Sequence, residues 1–351
     1  MKYKKKDLFT LDKFIEESLY NKKHGYYMKK NPFGVTGDFI TAPNISILFS
    51  EMIAIWVISF WEKLNSPKQF NLVELGAGNG EMMKTLIKTF SKFPKFQNAC
   101  NINILEKSKL LRKMQKITIN SKKILWLNNL NELNNCPSIF LANEFFDALP
   151  IKQFIKKEKK WHERHVKFKN KVNKEYLDVP FNMEKFEKEI KFKISYKQKF
   201  IEYSPQANEY LENITNKIRN NKGGILIIDY AYTHKEMRNT LQAVSKHKYC
   251  NALENFGSSD ITYNLSLNLV DEMIKKFGAF TSLITTQKKF LIELGIMERA
   301  EIVSKNMQFS AKADIFFRLK RLIDEKQMGH LFKVMFITNN KNKFKLGFKD
   351  D

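Results

Sequence analysis

The stretch from Leu72 to Met83 constrains this chain more than any other part of its sequence. Within twelve positions it holds an apolar run, three glycines in five residues and the start of a helix. Only glycine lets a backbone turn this tightly and still leave room for a ligand beside it. The stretch therefore predicts the first strand, loop and helix of a nucleotide-type α/β fold, with Gly76, Gly78 and Gly80 lying against a cofactor.

The glycine spacing and the carboxylate before it indicate which cofactor binds. The pattern is G-x-G-x-G rather than the G-x-G-x-x-G of dinucleotide enzymes, and Glu74 stands two places before the first glycine. A pyrophosphate favours helix-terminal N–H groups without a nearby carboxylate. S-adenosylmethionine (SAM) carries a sulfonium and an ammonium but no phosphate, so Glu74 suits it better. A nicotinamide-dependent oxidoreductase would need the third glycine one position later.

A second carboxylate, Glu106, supports SAM. It follows the apolar run Ile102–Leu105, which is predicted to be the second parallel strand, after a helix over Glu81–Phe90. A carboxylate at that strand tip can accept hydrogen bonds from both hydroxyls of a ribose. The glycines alone would also fit an ordinary strand-to-helix turn, but Glu74 and Glu106 together favour a ligand site.

Strand and helix patterns alternate from residue 71 onward, which predicts a mostly parallel sheet with right-handed crossovers. The expected fold is α/β, of the Rossmann-like class I SAM-methyltransferase type. We predict four segments, which are an N-terminal helical cap (1–65), the first half of the SAM-binding domain (66–150), an inserted strand and helix subdomain over the sheet edge (151–222) and the second half of the α/β domain (223–351).

Individual elements follow from periodicity and from breakers. The predicted helices of the cap are Leu11–Tyr20 and Ile45–Leu64, with a Gly- and Pro-rich loop over 34–43 between them. Other predicted elements are strands at Leu72–Leu75, Ile124–Leu127, Ile139–Ala142, Ile151–Lys156, Trp161–Phe168, Phe200–Tyr203, Ile225–Asp229 and near Leu331–Ile337, and helices at Gln206–Arg219 and Ser266–Phe277.

The net charge of +24 invites a nucleic-acid interpretation. The lysines are spread over every segment instead of being clustered, so we expect no nucleic-acid partner. Three separated cysteines without a C-x-x-C pair fit a reducing compartment and no metal site. The apolar run Ile45–Trp61 contains Glu51 and is too short to span a membrane. Without a signal-peptide pattern, we expect a cytoplasmic protein, or one of the mitochondrial matrix if the source is eukaryotic.

Ligands of open parallel sheets bind beyond the carboxyl ends of the strands. Besides the glycine loop and Glu106, the segments Asn143–Pro150 and Asp229–Tyr230 follow predicted strands and should lie there. Glu144 and Asp147 could hold a cation such as a guanidinium. The alternatives are that Glu144 caps a helix and that Asp147 is solvated.

At these residues the chain resembles the MidA family of SAM-dependent methyltransferases, which are connected with assembly of respiratory complex I. The resemblance covers nearly the whole length, and its most specific strings are G-D-F-x-T-A-P and N-E-F-F-D-A-L-P. It rests on His24–Tyr27, Gly37–Pro43, Glu74–Gly80, Asn143–Pro150, Glu163–Arg164, Ile228–Tyr230, Asp260–Thr262 and Met328–Val334.

The resemblance implies methyl transfer from SAM to an arginine side chain of a protein, with a subunit of a respiratory complex as the candidate substrate. It places Asp38 and Asn143-Glu144 near the substrate. Arginine is a poor nucleophile, so a carboxylate must localise its charge and take a proton. We assign that role to Glu144, with Asp38 as second candidate. Asn143 is a candidate both as a catalytic residue and as a cofactor-binding residue. The candidate substrate-binding residues are Tyr26, Tyr27, Phe39, Asp147 and Asp229.

The chain also departs from the family pattern. Ala77 and Asn79 stand where Pro and Arg are usual, Asn44 replaces a usual Glu, and Ala231 a usual Gly. The segment 263–266 lacks a usual His and Asp, which puts the substrate in doubt more than SAM. A catalytically silent assembly factor is the alternative. A nucleic-acid methyltransferase is disfavoured because an N-P-P-Y-like motif is missing after the fourth strand.

Overall fold

The computed structural model describes residues 7–29, 32, 37, 40–170, 173–245, 247–278 and 280–349. The strands of this part of the chain are β1 (Leu8–Thr10), β2 (Phe70–Leu75), β3 (Cys100–Leu105), β4 (Ile124–Leu127), β5 (Ser138–Asn143), β6 (Lys152–Lys157), β7 (Lys160–Phe168), β8 (Lys174–Pro180), β9 (Phe200–Tyr203), β10 (Gly223–Tyr232), β11 (Gln242–Ser245), β12 (Lys248–Cys250), β13 (Asp260–Thr262), β14 (Leu265–Ser266), β15 (Phe280–Thr286) and β16 (Phe332–Asn339).

The helices are α1 (Leu11–Tyr20), α2 (Tyr26–Lys29), α3 (Ala42–Ile45), α4 (Ile47–Lys63), α5 (Glu81–Phe90), α6 (Pro94–Ala99), α7 (Lys109–Ile119), α8 (Met183–Ile190), α9 (Pro205–Asn221), α10 (Leu267–Lys276), α11 (Gln287–Glu293), α12 (Ile296–Ser304), α13 (Phe309–Ile323) and α14 (Met328–Leu331). A short 3₁₀ helix covers Leu130–Glu132.

The chain divides into two compact units. One, the sheet unit, comprises the described residues of 31–145, 213–231 and 277–351. The other, the insertion unit, comprises those of 1–30, 146–212 and 232–276. These units cut the chain at other places than the four predicted segments. The physical reason is strand pairing, because β1 from the N-terminal segment pairs antiparallel with β7.

The sheet unit is built on the strand order β15-β16-β10-β5-β2-β3-β4. The strands from β10 to β4 in this order are parallel neighbours. β16 runs antiparallel to both β10 and β15. The predicted α/β class with a mostly parallel sheet is therefore confirmed, and the antiparallel edge was not predicted.

An aromatic core holds helix α4 against this sheet. Trp56 and Phe60 lie one turn apart on α4, and both are fully buried. Their rings meet Phe336 of β16 edge-on, with centroids 5.0 and 4.9 Å away. Burying side chains of this size contributes roughly 1.5–3 kcal/mol each, so α4 is fixed to the sheet that carries the glycine loop.

The predicted single helix Ile45–Leu64 is wrong at its beginning. Ser46 has extended backbone angles (φ −149°, ψ 132°), and its hydroxyl accepts the N–H of Leu48 at 3.3 Å. This N-cap starts α4 at Ile47 and leaves Ile45 in the separate helix α3. Of the predicted loop over 34–43, residues 34–36, 38 and 39 lie outside the described residues, and its last two residues are helical. Ala42 and Pro43 open α3, where proline is well tolerated in a first turn.

The insertion unit centres on β7, which pairs antiparallel with β1, β6 and β8. The predicted hairpin of this region is therefore present. The ring of Phe154 on β6 lies 4.7 Å from that of Phe181 and 5.0 Å from that of Phe186. Lys152 binds Glu163 at 2.6 Å and Asp12 of α1 at 3.3 Å, so a half-buried cation ties the N-terminal helix to this sheet.

Candidate functional site

The candidate site lies in the sheet unit where the strand order reverses. From β2 the chain runs outward to β3 and β4, and it then returns to place β5 on the other side of β2. Loops leaving two such neighbouring strands diverge and open a crevice at their carboxyl ends. The glycine loop leaves β2, and Asn143 and Glu144 end β5, so the two predicted groups flank this crevice.

The glycine loop has a backbone that other residues adopt only with strain. Gly76, Gly78 and Gly80 have φ values of +64°, +54° and +89°. The N–H of Gly76 donates to the carbonyl of Leu105 at 2.9 Å, which ties the loop to β3. A Cβ on Gly76 would lie 2.9 Å from Cδ2 of Phe145. The glycines are thus required by backbone geometry and by close packing.

Glu74 is a buried carboxylate beside this loop. It is 3% exposed, and its Oε2 atom has no hydrogen-bond partner among the described residues. Burial, together with the nearby charge of Glu106, raises the pKa of Glu74 to about 8. Buried polar atoms are nearly always satisfied, so an unpartnered carboxylate oxygen fits a cationic ligand such as the sulfonium and ammonium of SAM.

Glu106 follows β3 and is held by two donors. Its Oε1 accepts the N–H of Ser108 at 2.8 Å, and its Oε2 accepts Nε2 of Gln115 at 3.1 Å. Burial raises the pKa of Glu106, while these hydrogen bonds and the charge of Arg112 lower it. The carboxylate can still accept further hydrogen bonds, because each oxygen has more than one lone pair.

Gln115 is a residue of this region that the sequence interpretation missed. It is fully buried on α7, and its Nε2 also donates to the carbonyl of Gly78 at 2.9 Å. A signal was available in the sequence. Leu111, Gln115 and Ile119 share one helical face at a spacing of four, and the amide interrupts an otherwise apolar stripe.

Asn143 and Glu144 lie where β5 ends. Glu144 has a φ of +50°, a left-handed conformation that is rare for a residue other than glycine. Its N–H donates to the carbonyl of Ile228, and its Oε1 accepts Nδ2 of Asn143 at 3.2 Å and the N–H of Ala42 at 3.4 Å. The Oδ1 atom of Asn143 is buried without a described partner. Such strain is typical of functional positions.

Two departures from the family pattern contact each other in the sheet unit. Nδ2 of Asn79, in the glycine loop, donates to Oδ1 of Asn44 on α3 at 2.7 Å.

Asp229, which is fully buried on β10, accepts the N–H of Tyr230 at 2.9 Å. The loop, Glu74, Glu106, Asn143, Glu144 and Asp229 therefore all belong to one compact unit.

Three of the candidate substrate-binding residues belong to the insertion unit instead, namely Tyr26, Tyr27 and Asp147. The hydroxyl of Tyr27 donates to Oδ1 of Asp260 at 2.7 Å. Burial, together with the charges of Asp260 and Asp147, raises the pKa of Tyr27. Asp38 and Phe39 lie outside the described residues, so the structure gives no position for them.

Two further classes of site were searched for within the described ranges. No group of three or more His, Cys, Asp or Glu side chains there could hold a metal ion. None of the helices described is both long enough and apolar enough to cross a membrane. The three cysteines are free.

A family comparison decides which cofactor the chain binds. Residues 52–285 match the model of a family described as S-adenosyl-L-methionine-dependent methyltransferases. The chain belongs to this family. It is a SAM-dependent methyltransferase, in agreement with the prediction from the glycine spacing and Glu74.

Relatives of this methyltransferase share most of its length. It is 27% identical to "Protein arginine methyltransferase NDUFAF7, mitochondrial" of Xenopus laevis, over 94% of this chain and 80% of the relative. The human protein of the same name is also 27% identical, over 92% of this chain and 78% of the relative. A Burkholderia thailandensis protein, solved with bound S-adenosyl-homocysteine, superposes with a TM-score of 0.79 at 21% identity. The superposition covers 98% of this chain and 89% of the Burkholderia protein, which confirms the fold.

Proposed function

We propose that this methyltransferase transfers the methyl group of SAM to an arginine side chain of another protein. The names of its relatives support arginine in a protein as the acceptor. The observation that carries the proposal is the strained, hydrogen-bonded Glu144 at the end of β5, beside the loop that we assign to SAM. A carboxylate there answers the main chemical difficulty of an arginine acceptor.

That difficulty is the guanidinium itself, which is delocalised and stays protonated near neutral pH. Glu144 would hydrogen-bond the guanidinium, concentrate its positive charge away from the attacking nitrogen and accept the proton that leaves. Asn143 would orient Glu144 through the 3.2 Å contact between their side chains. Bound SAM supplies the methyl group, and the protein aligns the two reactants and excludes water.

The other roles follow the sequence prediction. Glu74 would hold the cationic end of SAM, and Glu106 would bind its ribose. The three glycines would let the backbone of the loop lie against the cofactor. Asp38 remains the second candidate for proton transfer, and Tyr26, Tyr27, Phe39, Asp147 and Asp229 would bind the substrate. Their number and chemistry, aromatic and acidic, suit an arginine side chain.

The partner that we propose is a protein of respiratory complex assembly. The motifs shared with the MidA family support it, and the names of the relatives give those proteins a mitochondrial location. For this chain we propose a reducing compartment, either a bacterial cytoplasm or a mitochondrial matrix. The proposal is tested by identifying the protein that becomes labelled in a lysate of the source cells.

The decisive experiment compares binding with turnover in Glu144→Gln. Labelled SAM and a lysate protein fraction report methyl transfer, and calorimetry reports SAM affinity. We expect affinity within a few-fold of wild type and a loss of transfer on the order of 10²-fold, the size of a lost acid–base group. Glu293→Gln, which changes a carboxylate bonded to the backbone N–H of Lys349, is the matched control.

Three results would change the assignment. Equal losses of binding and transfer would move Glu144 to the cofactor-binding residues. Full activity in Glu144→Gln would transfer the proton-accepting role to Asp38. SAM binding without labelled product in any protein fraction would favour the silent assembly factor.

A further inference from the structure

The side-chain amide of Gln115 makes three hydrogen bonds, and each of them is to a different element of the sheet unit. Its Nε2 donates to the carbonyl of Gly78 at 2.9 Å and to Oε2 of Glu106 at 3.1 Å. Its Oε1 accepts the indole N–H of Trp126 on β4 at 3.0 Å. The residue is fully buried, so these partners satisfy both amide hydrogens and the amide oxygen without water.

Trp126 decides which way this amide points. An indole N–H can only donate, so it must face the amide oxygen of Gln115. Both amide hydrogens then face the glycine loop and Glu106. A reversed amide would set its single oxygen against two acceptors, the carbonyl of Gly78 and the carboxylate of Glu106, and its NH2 group against the indole N–H. All of these groups would then be unsatisfied, which costs free energy in a buried site.

We propose that Gln115 is a positioning residue that holds the Glu106 carboxylate in the orientation that accepts both ribose hydroxyls and links it to the glycine loop. This inference rests on the proposed assignment of Glu106 to the ribose. With Ser108 on one oxygen and Gln115 on the other, the plane of the carboxylate is fixed at both ends. The same amide fixes Gly78, so the loop and the ribose site form one preorganised unit.

The charges around Glu106 do not supply this orientation. Arg112 donates its Nε to the backbone carbonyl of Glu106 at 2.6 Å and its Nη2 to that of Leu127 at 2.6 Å. Arg112 therefore acts on the carboxylate through its field and not through a direct hydrogen bond to it, and the nearby Glu74, whose pKa is raised, supplies no cation that could orient it. The side chain of Gln115, by contrast, contacts the carboxylate directly, with Nε2 at 3.1 Å from Oε2.

The test measures discrimination between S-adenosylhomocysteine and its 2′-deoxyribose analogue by calorimetry. Wild type should bind the analogue on the order of 10- to 100-fold more weakly, because a hydrogen bond to a charged group is lost. In Gln115→Leu the carboxylate keeps the N–H of Ser108 on Oε1 but loses the donor that holds Oε2, so its plane can turn and this ratio should fall to about threefold or less. A merely structural role would lower both affinities and leave their ratio unchanged.

Gln287→Leu is the matched control. Gln287 is also a fully buried glutamine of the sheet unit, and its Nε2 donates to the carbonyl of Leu322 at 2.9 Å. Its replacement removes a buried amide of the same size away from the crevice. Stability should fall in both variants, whereas the discrimination ratio should fall only in Gln115→Leu.

A second variant keeps the test decisive if Gln115→Leu does not fold. Trp126→Phe keeps an aromatic ring but removes the indole N–H that fixes the amide, so the ratio should fall by a smaller factor. An unchanged ratio in whichever of these variants folds overturns the positioning role. Equal wild-type affinity for the two nucleosides overturns the assignment of Glu106 itself, and failure of wild type to bind either one overturns the proposed cofactor site.

Discussion

Glu74 shows how burial can turn a carboxylate into a proton-linked binding group. Its pKa of about 8, caused by burial and by the charge of Glu106, keeps most of it protonated at neutral pH in the ligand-free protein. A cation beside its unpartnered Oε2 stabilises the ionised form and lowers that pKa again. Binding of a cationic ligand must therefore release a proton.

The first prediction follows from this linkage. The affinity for S-adenosylhomocysteine, which carries an ammonium, should rise between pH 6 and 8 by up to about tenfold per pH unit and level off above the free pKa. Calorimetry in buffers of different ionisation enthalpy should show the released proton. In Glu74→Gln the affinity should be lower and nearly independent of pH. Equal pH dependence in the two proteins would place the titrating group elsewhere.

The contact between Asn44 and Asn79 explains two departures from the family pattern at once. Where the family usually has Glu and Arg, this chain has two amides joined by a 2.7 Å hydrogen bond. The link between α3 and the glycine loop is thus kept, while its charges are lost. A neutral link also avoids placing a guanidinium beside a cationic cofactor.

We expect the pair to behave as a unit on substitution. Asn79→Arg alone should weaken binding of S-adenosylhomocysteine about tenfold, because an unpaired cation then repels the ligand's ammonium. Adding Asn44→Glu should restore most of that loss, and the restoration should shrink in high salt as the new ion pair is screened. Additive effects of the two substitutions would show that the side chains act independently.

At the level of elements, local pattern predicted the centre of the sheet well. The helix over Glu81–Phe90 and the strand over Ile124–Leu127 have the bounds that periodicity gave. Both begin or end at strong local signals, such as Gly80 with a left-handed backbone. Ser46, by contrast, is one small polar residue in a long apolar run, and its capping bond was not visible in the pattern.

The elements that sequence reasoning missed depend on distant partners. Strand β15 pairs with β16, in which Asn339 is the partner of Phe280, and β1 pairs with β7, in which Lys167 is the partner of Leu8. Nothing in a local window specifies such pairs. The same holds for the site. The glycines and Glu106 follow a local motif, whereas the hydrogen bonds of Gln115 appear only when α7 lies beside the loop.

The glycine loop carries a prediction for the element as a whole. In Gly76→Ala, the alanine can adopt the φ of +64° only with strain. Its Cβ would also lie 2.9 Å from Cδ2 of Phe145. We expect a loss of SAM affinity of about tenfold or more, since an alanine in this conformation costs about 1–2 kcal/mol and displaces the loop. Thermal unfolding and calorimetry measure the two effects separately.

Gly295→Ala is the control for this change. Gly295 has a φ of +82°, and a Cβ there would meet only Glu298, at 3.5 Å. Its replacement carries the same kind of backbone strain at the start of α12, away from the crevice. Stability should fall while SAM affinity stays unchanged. A parallel loss of affinity in both variants would mean that general instability, and not the loop, limits binding.

For the whole molecule, the net charge of +24 is the property most open to misinterpretation. The most basic segment, over 152–174, lies largely on β6 and β7, and part of its charge is paired. Lys152 contacts Glu163 at 2.6 Å, Lys157 contacts Asp178 at 2.8 Å and Lys169 contacts Glu175 at 2.6 Å. The pairs of the exposed Lys157 and Lys169 stabilise the fold little, but all three pairs reduce the local field that a phosphate backbone would meet.

The last prediction separates a compositional charge from a functional one. Dispersed and partly paired lysines should hold a DNA duplex or RNA weakly, without sequence preference, and release it near physiological ionic strength, because few phosphates are neutralised together. Methyl transfer from labelled SAM should persist at that salt and label a protein fraction. Column retention and label counting after nuclease or protease digestion measure both. Salt-resistant binding to one nucleic acid, with label removed by nuclease, would show that the substrate is a nucleic acid and not a protein.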